Sequence, residues 1–592
     1  MSLSNNFPTI SPSLLLDFAN TKRLDPRVTF TRSTTAVYYD GVTTALAEQN
    51  LLTWSQDFDN AAWSRLNVTV SPNNGLAPDG TTTADLVYPS TTGVSRTIYQ
   101  AGPGTTTSSV TSFYAKASGK SWIWVVGAVG SGTSGVYFNV STGTKGFEFP
   151  GYTGTITPVG NGWYRLVVQN PSTAMNFGQI TIVDADNTNS VTANGTDGIL
   201  VWGAQLEQRS SVTAYTPTTT TSITNYIPQL LTAAANVPRF DFNPTTGESL
   251  GLLIEEQRTN LLLYSSDFDN AAWVKVNTSI NANTVIAPDG TLSGDKLIIT
   301  STAAQHILYQ NVTTVTSQAY AQTFYIKKAE WSQRIRFSTV SGNVVLSLAT
   351  TQPTFVSGDS TPTITDVGNG WYRVSIVAVE DSGGSVQVGR IVFQDNSGGE
   401  NFAGDNFSGI YIWGAQFEAA TFPTSYIPTV ASTVQRNADL ASMTGTAFSS
   451  WYNPNQGTLY TEGGGLNAAS SARLASITDN TFSNRIINYF ATSGLAAGLI
   501  TTSGVSQANP VVSITSATAL NKVIQGYALN NVNIAANGTL GTLDTSATIP
   551  AVTLMRIGVD EVGTGSFLNG TIRKIAYYPV RLTDAQLQAL TL

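Results

Sequence analysis

The 592-residue chain has a formal charge of −8, yet only 11% of its residues are charged, against roughly 25% in an average soluble domain. No run of Lys or Arg supplies the basic stripe that phosphate binding needs, which argues against a nucleic-acid surface. The absence of cysteine excludes disulfides and thiol chemistry, while 41% hydrophobic residues and 11 Trp suffice for several folded cores.

In chain order, residues 1–50 come first. Their opening, "MSLSNNFPTISPSLLLDF", has neither the basic n-region nor the apolar h-region of a secretory signal. The adjoining stretch, "ANTKRLDPRVTFTRSTTAVYYDG", mixes apolar clusters, prolines and alternation, and predicts an extended arm docked onto something larger. No apolar run approaches the ~20 residues of a membrane-spanning helix, so no membrane insertion is expected. The densest run, Trp122 to Gly130, is strand-length.

From residue 51 the chain repeats itself. "DFDNAAW" at 57–63 returns at 267–273, and "APDGT", "VGNGWYR" and the "WGAQ(L/F)E" strand recur at offsets close to 210. Residues 51–218 and 261–430 are therefore two copies of one domain, too long for a solenoid unit of ~20–50 residues. Short aromatic and β-branched runs such as "TSFYAKA" and "SWIWVVG", bounded by Gly and Ser, predict strands. The Asn-Gly pair of "GNG" predicts a tight hairpin turn with positive φ at both central residues. With few helix signals, each copy is expected to be an antiparallel β-sandwich of jelly-roll type. In "DFDNAAW", Asp57 or Asp59 would cap a single helical turn and swing Trp63 inward as a plug, with Trp273 doing the same in the second copy.

Residues 219–260 read as a connector, with "NPTTG" as its turn and "GLLIEEQ" packing against the start of copy two. Residues 431–592 change pattern and predict a third sandwich. It closes with the alternating strand "GTIRKIAYY", a cap at Thr583 and the short helix "DAQLQAL". The expected fold class is thus all-β, three sandwiches in series with an N-terminal arm.

At "FTRSTTAVYYDG", "NVPRFDFNPTTGESLGLLIEEQRTN" and "GAQLE…YTPT" the sequence resembles bacteriophage fibre and spike proteins, where such segments introduce jelly rolls like carbohydrate-binding modules. "SSWYNPNQGTLYTE" and "GTIRKIAYYPVRLTDAQLQALT" are similar to the concanavalin-A-like, laminin-G-type sandwiches that end many fibres. The resemblance covers nearly the whole chain. It implies a virion location after synthesis in the host cytoplasm and release by lysis. It further implies attachment to other virion proteins through residues 1–50, a homotrimer, and host-surface polysaccharide as the partner. The chain departs from the family in one respect: "FTRST" and "NVPRFD", usually contiguous, are here separated by the whole first copy.

Candidate chemistry is sparse. His306 is the single histidine, opposite Arg96 in the repeat, so Ser-His-Asp catalysis and multi-histidine metal sites have nothing to work with. Glycoside cleavage needs only two carboxylates, but those present are scattered and sit mostly in turns, so no enzyme activity is expected. Glu207 and Glu418 end equivalent strands, where a structural role is expected. Asp184 and Asp395 lie in equivalent polar loops that could hold a structural Ca²⁺, although the spacing fails the EF-hand pattern; no other cofactor is expected. Sugar stacking would use flat aromatics helped by arginine. Trp122 and Trp124 share one strand face, with Trp331 and Gln333 matched to them in copy two. Either the pair lies in a core adjusted in copy two, or copy one alone carries an aromatic platform. Trp163 with Arg165, and Trp371 with Arg373, also share faces, as core or rim packing or as guanidinium–indole stacks. Two functions remain open: a non-catalytic adhesive fibre, or a structural spacer that binds no glycan. A polysaccharide-degrading spike stands third.

Overall fold

The computed structural model describes residues 7–102, 108–127, 133–170, 175, 177–339, 341–381, 383–466 and 471–592. Over these residues the chain is almost wholly antiparallel β-structure, with three short helices, Phe18–Thr21, Gly445–Ser449 and Asp584–Thr591. The expected all-β class of three sandwiches, two of them a repeat, is what the strands build.

Each copy packs two six-stranded sheets face to face. In copy one the first sheet runs Thr144–Glu148, Val136–Asn139, Trp122–Val125, Phe177–Val183, Thr97–Ala101, Ser64–Leu66. The second runs Thr153–Pro158, Tyr164–Asn170, Ser109–Ser118, Gly198–Glu207, Ala84–Pro89, Val68–Gly75. Copy two repeats both orders strand for strand. Alternate residues such as Ile123, Val136, Phe138 and Leu166 point into the layer between the sheets and are fully buried.

"DFDNAAW" is a folding signature in both copies. Phe58 and Trp63 are buried with ring centroids 4.6 Å apart, and the indole N–H of Trp63 donates to the carbonyl of Trp54 at 2.9 Å. Phe268 and Trp273 repeat this at 4.8 Å, with the carbonyl of Tyr264 at 2.9 Å. The helical turn expected there is instead a series of tight turns. The side chain of Asn60, not an aspartate, accepts from the Ala62 N–H at 3.0 Å, mimicking a backbone turn. The "GNG" turns form as expected, with φ of 52° and 77° at Asn161 and Gly162, and 49° and 74° at Asn369 and Gly370. The closing helix also forms, with Thr583 and Gln586 exchanging the two bonds of a capping box.

Residues 1–50 do not stand apart as an arm. Leu14–Asp17 pairs with Gly570–Tyr578, and Thr29–Thr31 pairs with Leu440–Thr444, so both become strands of the third sandwich. The connector is absorbed as well. Ser249–Ile254 lies beside Gly570–Tyr578, placing "GLLIEE" in the C-terminal core through Leu252 and Ile254 rather than against the start of copy two, while its Glu255 accepts from Ser425 near the end of that copy. The third sandwich is therefore assembled from residues near 14–31, 240–254 and 438–592, two eight-stranded sheets around one core. The physical reason is edge chemistry: long apolar strands expose unpaired N–H and C=O groups, and the early segments cover them. Residues 1–6 lie outside the described residues.

The two motifs separated in sequence are rejoined in space. Ala36–Asn50 and Ile223–Ala233 form a two-stranded ribbon whose register runs from Ala36↔Ala233 to Asn50↔Ile223, and copy one hangs from its tip as an insertion. At the ribbon's base, Arg32 of "FTRST" bonds through its backbone to Asn236, 204 residues away. There Arg32, Arg239, Glu255, Arg436 and Asp439 form one ion cluster with side chains at most 1% exposed. Asp439 bridges Arg32 at 2.8 Å and Arg239 at 2.5 Å, while Glu255 bridges Arg239 at 2.8 Å and Arg436 at 2.5 Å. Burial alone would raise the Glu255 carboxyl, but Arg436 and Arg239 outweigh it and hold it at about 2. Arg32, Arg239 and Glu255 fall in the motifs of the resemblance, and the cluster locks the N-terminal segment and the connector to the start of the third sandwich.

Candidate functional site

The ribbon treats the two copies differently. In copy two, Tyr325, Trp371 and Trp413 on the outer face of one sheet pack into a single core with the ribbon residues Tyr39, Ile227 and Leu230. In copy one the equivalent face, with Tyr114, Trp163 and Trp202, forms its own small cluster and is not covered by the ribbon. That face looks across at copy two, and the space between them is a cleft of about 790 Å³.

Three elements build the cleft. Copy one supplies Tyr114, Arg165, Thr155 and Thr157 from neighbouring strands; copy two supplies Asn283, Lys296, Lys327, Glu330 and Tyr411; the ribbon supplies Glu48. A backbone bond from Ala214 N–H to the Thr284 carbonyl, 2.7 Å, ties the lobes together at its edge. Two ion pairs face the cleft, while Asp79, Arg165 and Lys328 also line it without an ion pair among the described residues. Lys327 holds Glu48 and also donates to the Asn369 carbonyl at 2.8 Å. Lys296 holds Glu330 at 2.7 Å and lies 4.3 Å from the centroid of the Phe407 ring. Burial, then the nearby Glu330, pushes the Tyr411 phenol well above its usual range, so it stays a neutral donor. Half-buried rings (Tyr215, Phe407), amides, hydroxyls and charges in one concave space suit a polyhydroxylated ligand.

Of the residues singled out from sequence, Arg165 alone lines the cleft. Its guanidinium donates to the Thr213 carbonyl at 2.7 Å and to Ser112 Oγ at 3.1 Å, and its Nε is buried without a partner. It lies over the Tyr114 ring at 5.5 Å, not over an indole. Trp163 and Trp371 are 1% and 0% exposed, their indole N–H groups donating to the Leu76 and Ile286 carbonyls, so neither is an open platform. Arg373 sits over Tyr325 at 5.8 Å and donates to the Thr424 carbonyl.

Trp122 and Trp124 lie on the outer face of the other sheet of copy one. Trp124 is buried and stacked on Tyr137 at 5.3 Å, while Trp122 is half-buried beside it. The end of the run, 128–130, lies outside the described residues. Trp331 is not the counterpart of Trp122. It sits in the loop before the strand Arg334–Ser338 and stacks on Phe402 at 5.3 Å inside the second core. An insertion shifts the sequence match by three residues, so that Arg334 takes the strand position of Trp122.

The aspartate loops are occupied by their own donors. Asp184 accepts from Lys120 at 2.7 Å and the Thr192 N–H at 2.7 Å. Asp395 accepts from Ser397 and the Gly399 N–H at 2.6 and 2.8 Å. Among the described residues no group of three His, Cys, Asp or Glu side chains gathers in ligand geometry. His306 is buried, its ring nitrogens facing the carbonyls of Asn277 and Phe402 at 2.6 and 2.9 Å. Glu207 and Glu418 are buried strand ends bonded to Thr213 and Thr424, the structural role expected of them.

The cleft is not legible from the sequence, because it exists only once the lobes are apposed. The one local signal is Arg165 in "GWYR".

No protein-family model and no curated protein matches the chain. Among solved structures, the sialidase carbohydrate-binding module CBM40 of Ruminococcus gnavus, bound to α2,3-sialyllactose, is 16% identical with a TM-score of 0.23, covering 25% of this chain and 88% of its own. Domain 4 of AbnA, an extracellular GH43 arabinanase of Geobacillus stearothermophilus, in complex with arabinotriose, is 12% identical with a TM-score of 0.21, covering 29% and 82%. Domains LG4-5 of the mouse laminin alpha1 chain are 10% identical with a TM-score of 0.17, covering 47% and 86%. Scores this low carry no functional argument, so function rests on the side chains of the cleft.

Proposed function

We propose that this protein is a bacteriophage fibre or spike subunit with a non-catalytic, adhesive role, binding host-surface glycan in the cleft between its two jelly rolls. The cleft carries the reading: 790 Å³ lined by half-buried rings, amides and polar side chains accommodates a short stretch of saccharide. The virion assignment is supported by the sequence resemblance. The non-catalytic role is supported by the cleft's carboxylates: Glu48 and Glu330 are each tied to a lysine, and Asp79 accepts from Thr81 in its own turn. A homotrimer would present three clefts and raise avidity without new contacts. No nucleic acid, membrane insertion or obligatory cofactor enters the reading.

The spacer alternative is favoured by one observation, the buried ion lock, which makes the base of the molecule rigid. A glycan array separates the two readings. Binding that is lost in Thr157→Trp, which fills the cleft from an exposed strand position, supports adhesion. A blank array with intact protein supports the spacer, and release of reducing ends from host polysaccharide would establish a depolymerase.

A further inference from the structure

The sheet of copy one that bears Trp122 has a counterpart in copy two, and the backbone fixes the correspondence. The Ile182 N–H donates to the Arg96 carbonyl, and the Phe393 N–H donates to the His306 carbonyl in the same way. Trp122 and Trp124 register against Val183 and Thr181; Arg334 and Arg336 register against Gln394 and Val392. Arginines therefore stand where copy one has tryptophans. On the neighbouring strand, Val345 replaces Tyr137, and on the other side Arg390 replaces Gln179.

The three guanidinium groups share one half-buried outer face. Arg336 reaches Glu400 at 2.8 Å, but Glu400 also accepts from Gln394 and Gln305, each at 2.9 Å. Among the described residues, neither Arg334 nor Arg390 has an ion pair. The nearby Asp395 is turned into its own loop. The Nε atoms of Arg336 and Arg390 are buried and lack acceptors. Burial, then the neighbouring Arg336, lowers the Arg390 pKa, with Glu400 acting in the opposite direction. Donors held together against their own repulsion, with acceptors missing, describe a site awaiting an oxyanion.

We propose that this face of copy two binds the oxyanion of an acidic saccharide, a hexuronate carboxylate or a sulfate ester, separately from the cleft. Copy one, with rings at the same positions, has no such site. The proposal rests on the glycan-binding reading and gives the second lobe its own ligand chemistry.

The test is titration of the full chain with a neutral oligosaccharide from the array, an oligouronate and a sulfated oligosaccharide. Wild type, Arg390→Ala, Arg390→Lys and Thr157→Trp are compared. Arg390→Ala, which leaves Glu400 paired, is expected to weaken acidic ligands at least 10-fold and leave the neutral ligand unchanged. Arg390→Lys is expected to recover part of the loss, and wild-type affinity for acidic ligands falls as salt rises. Loss of the uronate alone names the carboxylate as the source, and loss of the sulfated ligand alone names the sulfate. Acidic binding that is indifferent to Arg390 and to salt, or abolished by Thr157→Trp, overturns the proposal while the cleft reading survives. A wild type that binds none of the three overturns the cleft reading itself.

Discussion

The two jelly rolls share a skeleton and differ in what their faces are used for. Asn50 and Asn260 each donate to two carbonyls that close their lobe, and Ser55–Tyr215 and Ser265–Tyr426 make the same 2.6 Å bond. Asp85 and Asp295 accept from the same pairs of backbone N–H groups. Yet Trp413 packs with the ribbon, while its counterpart Trp202, equally buried, lies beneath the cleft instead. Duplication here does more than repeat one surface: in copy two this face seats the ribbon, in copy one it borders the cleft between the lobes. The letters that repeat most faithfully are those that fold the lobe, and the letters that differ are those on its faces.

The comparison can be broken most forcefully at that tryptophan pair. Trp413→Ala is expected to cost about 3–5 kcal/mol and to free the ribbon, loosening copy one from copy two. Trp202→Ala is expected to cost less and leave the ribbon seated. Calorimetry and limited proteolysis of the ribbon distinguish them, and equal effects would mean the ribbon does not discriminate between the copies.

Next in size is the ion lock, which has no counterpart in copy one. Asp439→Ala leaves Arg32 and Arg239 buried without their shared carboxylate and is expected to destabilise the base by about 3–5 kcal/mol. The unfolding transition of copy one should hold its midpoint.

Acidity separates shared features from private ones. Burial, partly offset by backbone donors, raises Asp85 and Asp295 to about 6, above the unfolded value of 3.8. The folded lobes then hold protons that the unfolded chain has lost, so both lobes lose stability as pH rises from about 4 to 6. Glu255 has the opposite sign: its contribution is present above the unfolded value of 4.5 and is lost as pH falls towards about 2. Midpoints followed from pH 2 to 7 should show both lobes firming below 6 and the base failing first in acid.

The smallest effect sharpens the shared skeleton. Asn161→Ala and Asn369→Ala place Cβ-bearing residues without a polar side chain at φ of 52° and 49°, and each should cost about 1 kcal/mol. Similar losses in both lobes are expected; a large loss in one alone would mean the turns are not equivalent.

Much of the fold is legible in the sequence because it is local. Aromatic strand runs, "GNG" turns and the Thr583 cap all depend on nearest neighbours. The arm and connector are not legible, because strand pairing between residues such as Leu16 and Ile575 is set by which edges need covering, and no local pattern carries that. Arg334 and Arg336 escape a sequence reading because a three-residue insertion hides register, which only cross-strand pairing reveals. For Trp163 and Trp371 the sequence leaves core packing and stacking both open, because a strand face read from sequence does not say which neighbour covers it; the structure buries both.

Hydrogen–deuterium exchange of the full chain, with and without a neutral saccharide chosen from the array, tests most directly whether the lobes grip glycan between them. Binding in the cleft predicts slowed exchange on both walls together, in Thr153–Pro158 of copy one and across 280–286 of copy two. Protection confined to one wall, or falling wholly outside the cleft, would contradict it.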